Sequence, residues 1–168
     1  MNKMLKRYGF FGLLTVLLLL FDQWTKSLAY NGLRVNGPLV LINGVFELLY
    51  TENRGAAFGI LQGQHGFFLL VAGAVVIVNL LFLHKQPDGK RYLPLYYCLI
   101  LLVSGAVGNM IDRFMRGFVV DFLYFSLIDF PVFNVADCYV VVSAVLLVLL
   151  SVFFYTDDEL DFMSAKEK

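Results

Sequence analysis

The chain has 168 residues, 60% of them hydrophobic, 16% aromatic and only 15% charged, with equal numbers of acidic and basic side chains and a net charge of zero. That length suits one domain, and the composition lies far from the soluble range and towards an integral membrane protein. Balanced charge excludes a nucleic-acid partner, because no surplus of Lys and Arg is available to displace counterions from phosphates.

The first apolar run covers residues 10–28 and follows Lys3, Lys6 and Arg7. A basic start before an apolar run also suits a cleavable signal peptide, with Ser27-Leu28-Ala29 as a loose small-residue cleavage site. A retained span is the preferred reading, since Asp22 and Lys26 interrupt its end four residues apart, share a helix face and can pair there. Residues 29–66 do not read as a span. Pro38 to Tyr50 has the pattern of two short strands about Asn43-Gly44, a dipeptide that favours a type I′ hairpin. Glu52-Asn53-Arg54-Gly55-Ala56-Ala57-Phe58-Gly59 follows, either an ordinary connecting loop or a segment able to bend over something at the membrane surface.

The second run, residues 67–84, is long enough to cross the hydrocarbon core at about 1.5 Å per residue. A basic turn through Pro87-Asp88-Gly89 leads to a third run at 93–111, and a fourth occupies 135–155 before a polar tail. The fold class is therefore a mainly α membrane protein, one domain over 1–168 with four transmembrane helices. Four spans put both termini on one side together with the 85–91 loop. Their basic residues make that side cytoplasmic, leaving 29–66 and 112–134 outside. Arg34, Arg54, Arg113 and Arg116 fall on the outer side among Glu47, Glu52, Asp112, Asp121 and Asp129, which are available to pair with them.

That outer region holds the unusual residues. On the third span Gly105, Gly108, Asn109, Asp112, Arg113 and Arg116 recur at helical spacing. Gly105 and Gly108 read first as packing positions that let another helix approach. Asn109, Asp112 and Arg113 serve either as scaffold or to orient a substrate, and Arg116 is within helical reach of Asp112 if the helix continues. Asp121 sits in the extended, apolar run Phe118 to Phe125, where desolvation raises a carboxyl pKa. Asn134 can cap the fourth helix, placing Asp137 in a first turn that favours negative charge. Capping alone would explain Asp137. Two carboxyls in such contrasting settings are also how a fold assigns an acid and a base, and if they meet they titrate as a pair.

Other chemistries lack their residues. His65 and His84 lie at opposite ends of the second span, which excludes a shared zinc, and neither G-x-S-x-G nor a phosphate-binding loop is present. Cys98 and Cys138 offer no disulfide framework or metal-type spacing. Lys26-Ser27 as a dyad fails because adjacent helical residues point apart. No metal or other cofactor is expected. A proton- or ion-coupled protein would need polar groups through the membrane depth, and a purely structural tetraspan would leave costly interfacial carboxylates unexplained.

Phe21-Asp22-Gln23-Trp24-Thr25-Lys26, Glu52 to Gly59, Gly108-Asn109-Met110-Ile111-Asp112-Arg113, Val119-Val120-Asp121-Phe122 and Phe133-Asn134-Val135-Ala136-Asp137 together resemble the sequence boxes of the lipoprotein signal peptidase (signal peptidase II) family. The resemblance covers nearly the whole chain, in order. It implies an aspartic endopeptidase of the bacterial inner membrane that cuts before the lipidated cysteine of diacylglyceryl-modified prolipoproteins. By the same resemblance the catalytic pair falls on Asp121 and Asp137, and Asp22, Lys26, Asn53, Arg54, Gly108, Asn109, Asp112, Arg113 and Asn134 support substrate and site. The family's extracytoplasmic β-cradle and short surface helix would fall in 29–66. Partners would be the substrates and membrane lipids, with the enzyme acting as a monomer and its active site at the outer face.

Overall fold

The computed structural model describes residues 3–55 and 64–163. Four helices are long and apolar enough to cross a membrane. The first, α1 (Lys3–Leu28), does not stop where its apolar run ends. A π turn over Ala29–Leu33 and a last short turn, α2 (Arg34–Asn36), carry it to Gly37, whose φ of +84° turns the chain away. Two strands follow, β1 (Leu39–Ile42) and β2 (Phe46–Asn53). The second long helix is α3 (His65–Lys85), the third α4 (Leu93–Arg116) and the fourth α5 (Val135–Phe153), with β3 (Val119–Tyr124) between the last two and a short α6 (Asp157–Leu160) after them. The architecture is mainly helical with one small sheet.

Local chemistry sets these boundaries. Pro94 opens α4, where its missing N–H has no helical partner to lose. Gly117 closes α4 in the left-handed conformation, φ +76°, and donates its N–H to the Arg113 carbonyl. The helix thus runs five residues beyond the apolar stretch that ends at Ile111, and Asp112 and Arg113 belong to it rather than to the following loop. Charged residues continue a helix readily once it has left the hydrocarbon.

The sheet is antiparallel in the order β1-β2-β3. The hairpin turn differs from the sequence expectation. A type I′ turn needs positive φ at both central residues, yet only Gly44, at +69°, has it. Val45 N–H bonds the Ile42 carbonyl at 3.0 Å, and pairing resumes at Ile42–Phe46 with a bulge. The expected surface bend over residues 55–59 falls, beyond Gly55, outside the described residues.

Helix α4 is the hub. Half of its apolar window is buried in protein, while those of α1, α3 and α5 face mainly outward as lipid-exposed helices do. One core cluster joins Phe11, Leu83, Tyr96, Leu99, Ile100 and Val103, and a smaller one seats Val120 and Phe122 of β3 against Ala29. Glycine sets the helix spacing: a Cβ at Gly105 would stand 2.5 Å from the Ala136 carbonyl oxygen and 2.6 Å from Val140 Cγ2 of α5. Gly105→Ala is therefore expected to cost about 1–3 kcal/mol. Thermal unfolding in micelles checks this, and an unchanged midpoint would contradict such close packing.

Candidate active site

Three elements converge at the sheet end of the bundle. β2 and β3 pair with Thr51 opposite Asp121 and Asn53 opposite Val119, so Asn53 and Asp121 are diagonal neighbours on one face. A separate bridge ties the next segment to β3: Phe133 N–H bonds the Leu123 carbonyl at 3.0 Å, and Leu123 N–H returns to the Phe133 carbonyl at 2.8 Å. This bridge delivers Asn134 and the start of α5 beside Asp121. Asn134 then forms a capping box, its side chain accepting from Asp137 N–H at 3.0 Å while the Asp137 carboxylate accepts from Asn134 N–H at 3.0 Å. Asp137 is thus both a helix cap and a neighbour of Asp121.

Three asparagine amides hold the two carboxylates. Asp121 accepts from Asn134 Nδ2 at 2.6 Å and from Asn53 Nδ2 at 2.8 Å, and Asp137 accepts from Asn109 Nδ2 at 2.7 Å. The orientation of each amide is imposed by a group that can only donate. Asn53 Oδ1 accepts from Gly55 N–H, Asn134 Oδ1 from Asp137 N–H, and Asn109 Oδ1 from the Lys26 ammonium. Each amide therefore turns its NH₂ towards a carboxylate. Asn134 touches both, its side chain on Asp121 and its backbone N–H on Asp137.

Beneath this pair lies a buried ionic frame. Lys26, Asp22 and Asp112 have fully buried side chains, and Lys26 Nζ meets Asp22 at 2.9 Å, Asp112 at 3.2 Å and Asn109 Oδ1 at 2.9 Å. Three acceptors use all the protons of an ammonium. Asp22 also takes Ala136 N–H at 3.0 Å, and Asp112 takes Val120 N–H at 3.2 Å and an ion pair from Arg116. The frame therefore ties α1, α4, β3 and the start of α5 together through charge. Gly108 makes room for it, since a Cβ there would lie 2.7 Å from Asp22 Oδ2.

The remaining candidates divide. Arg113 touches neither aspartate; it donates to the Gly55 carbonyl at 3.0 Å and stacks over the Phe68 ring at 4.3 Å. It still lines, with Asn53, Asp121 and Asp137, a groove of about 590 Å³ whose other wall is apolar, including Phe130, Pro131, Val141 and Val142. Arg54 lies apart, paired with Glu52 at 2.9 Å and placed over Phe118. Sequence reasoning overlooked Phe68, Phe130 and Gln23, which bonds both Asp22 and the Gly108 carbonyl. Nothing distinguishes these side chains from neighbouring apolar or polar ones until the helices are assembled. Among the described residues no group of three His, Cys, Asp or Glu side chains is arranged to hold a metal ion.

Asp121 lies outside the spanning helices and is 2% exposed. Burial first, and then repulsion from Asp137, push its pKa up from 3.8 to about 7, against the opposing pull of the Asn53 and Asn134 amides. A carboxyl with such a pKa can hold or release a proton near neutrality, as general acid–base chemistry requires.

Comparison with known proteins points the same way. The family model for signal peptidase (SPase) II matches residues 14–153. The lipoprotein signal peptidase of Clostridioides difficile is 42% identical over 142 residues, covering 84% of this chain and 94% of that protein. That of Streptococcus thermophilus is 43% identical over 129 residues, covering 77% of this chain and 83% of the relative. A solved structure described as a bacterial membrane enzyme, determined by the in meso method at 2.3 Å resolution, superposes with a TM-score of 0.79 at 30% identity, covering 95% of this chain and 94% of that one. The chain belongs to the signal peptidase II family and is a membrane-spanning peptidase.

Proposed function

We propose that this chain is an aspartic endopeptidase that cuts diacylglyceryl-modified prolipoproteins just before the lipidated cysteine, using Asp121 and Asp137 to activate water without a covalent intermediate. Its substrates, as for the family, are prolipoproteins, from which it removes the signal peptide. The observation that carries the reading is Asn134, which bonds both carboxylates and so holds two acids within one site. One aspartate, ionised, takes a proton from the attacking water. The other, protonated, polarises the scissile carbonyl and then helps the amine leave. The roles belong to the pair, since two coupled acids share one proton.

The supporting side chains act on the pair rather than on the bond. Asn53, Asn109 and Asn134 orient the carboxylates, Lys26 with Asp22 and Asp112 holds Asn109 in place, and Arg113 brings a positive charge to the groove. Arg54 has no part in this arrangement. The apolar wall opens towards lipid, where the diacylglyceryl chains can remain in hydrocarbon while the bond meets the acids. The membrane thereby supplies much of the orientation that the reaction needs. Basic residues at the amino terminus and in the 85–91 loop favour a cytoplasmic placement for both termini, with the dyad at the outer face of the bacterial membrane. Asp121, Asp137 and the three asparagines that hold them all come from one chain, in keeping with a monomer. Purified protein in micelles should cleave a lipidated precursor peptide, with mass spectrometry placing the cut before the modified cysteine. Cleavage elsewhere, or of the unlipidated peptide at equal rate, would reject the assignment.

Acidity gives a second test. With Asp121 near pH 7, the singly protonated dyad is lost as pH rises through that value, so kcat/KM should fall with an alkaline limb near 7. The linkage sign follows from the raised pKa: the fold binds a proton that the unfolded chain releases between 3.8 and about 7. The stability contributed by this group is therefore present at low pH and declines across that window. A kcat/KM profile flat from pH 6 to about 9 would argue against a titrating Asp121.

A further inference from the structure

The groove at the dyad does not end there. A second hollow of about 370 Å³ shares Phe68, Arg113, Asp137 and Val141 with the first and continues between α3 and α5. A third, about 470 Å³, shares Val71, Val75 and Leu102 with the second and reaches the far end of the bundle. Its lining is apolar except for Ser151, Asn79 and Tyr155, whose hydroxyl donates to the Arg91 carbonyl at 2.9 Å. Asn79 is 3% exposed; its Nδ2 donates to the Val75 carbonyl at 2.7 Å, but its Oδ1 has no partner. A buried acceptor left in this way is set for a donor from outside the chain.

The far end is closed by residues 154–163, which lie beyond the stretch matched by the family model. Leu160 and Phe162 of this segment wall the third hollow. The segment is firmly built. Arg91 grips Glu159 through two bonds of 2.9 and 3.1 Å, Thr156 and Glu159 form a capping box, and Tyr92 stacks on Tyr155 with ring centroids 5.7 Å apart. Arg91 neutralises Glu159, and Arg7 pairs with Asp88 at 3.7 Å. Asp157 and Asp158 are exposed, with Asp161 nearby in sequence, on an end that also carries Lys3, Lys6, Lys85 and Lys90.

We infer that this inner end seats the amino-terminal part of the substrate's signal peptide, its basic residues against Asp157 and Asp158 and the free N–H groups of its first helical turn within reach of Asn79 Oδ1. The inference rests on the peptidase reading above. Length supports it: Phe68 beside the dyad and Asn79 are separated on α3 by about 16 Å at the helical rise. An apolar signal segment of roughly 7–15 residues spans about 10–22 Å as a helix, and basic residues precede it. The first four N–H groups of such a helix have no partner of their own. The groove thus measures the apolar segment and checks the charge before it, a recognition independent of the lipidated cysteine.

The test uses the full chain in non-ionic micelles and two lipidated precursor peptides that differ only in having Lys or Gln before the apolar segment. Asp157→Asn with Asp158→Asn should raise KM for the Lys peptide roughly fivefold at low salt, as two exposed ion pairs would. Its kcat should not change, nor should the KM of the Gln peptide. Asn79→Leu should raise KM for both peptides while raising the thermal midpoint of the free protein. Equal responses of the two peptides to the Asp changes, or no response, would overturn the charge reading, and an unchanged KM in Asn79→Leu would overturn the Asn79 contact. Binding of the same peptides to Asp137→Asn, followed by fluorescence anisotropy, separates the two claims. Charge-dependent binding without cleavage by the native protein would leave this inference standing and reject the peptidase mechanism.

Discussion

Asp121→Asn and Asp137→Asn should each lower kcat for a lipidated precursor by about 10²–10⁴-fold, the scale of a lost general acid or base. The two changes remove ionisation while keeping shape, so the fold should persist. At position 121 an amide must turn its NH₂ towards Asn53 or Asn134, both held as donors, and one hydrogen bond is lost at about 1–3 kcal/mol. At position 137 the amide oxygen can still accept from Asn134 N–H, which preserves most of the cap. Helical circular dichroism should therefore change little, and the thermal midpoint should drop by no more than about 10 °C at position 121 and less at 137, while cleavage, followed by mass spectrometry, is lost. A variant that retained cleavage within tenfold of native would remove its aspartate from the mechanism.

Lys26→Met should cause the largest loss of stability of any single change at the site, about 3–5 kcal/mol. The ammonium is the shared partner of Asp22 and Asp112, whose side chains are fully buried, and Met leaves these carboxylates without it. Asp112 keeps Arg116, but Asp22 keeps only neutral donors, Gln23 and Ala136 N–H, and must take up a proton or expose itself. Arginine is no substitute, because a planar guanidinium cannot present the single point at which three acceptors meet. Activity should fall as well, since Asn109 Oδ1 loses its charged donor and keeps only Asn134 Nδ2, at 3.1 Å, to direct its NH₂ to Asp137. Denaturant unfolding in micelles measures the first effect, and adding Asp22→Leu should restore part of the loss. Additive losses in the double variant, or a single-variant loss below about 1 kcal/mol, would mean the frame is not coupled in this way.

The amino-acid sequence by itself determined the membrane class, the four spans, the helix-capping role of Asn134 and Asp137, and the pairing of Asp22 with Lys26. Each depends on residues close in sequence, where helical period and apolar run length are enough. The catalytic candidates were legible for a different reason: carboxylates beside hydrocarbon are costly enough to stand out singly, and five short boxes in order carried the family resemblance. The Asn-Gly pair marked the hairpin, but the turn type was decided by the bulged register of β1 on β2. Only the tertiary structure decided that β3 joins β2 and that Phe133 bridges to Leu123, contacts between distant segments that no local pattern encodes. Those contacts bring Asn53, Asn109 and Asn134 to the two aspartates, set Lys26 among three acceptors, turn Arg113 to Gly55 and leave Arg54 outside. The sequence names the groups that can carry charge, while their company is set by packing, because an asparagine or a lysine accepts whichever partner the assembled helices place within hydrogen-bond reach.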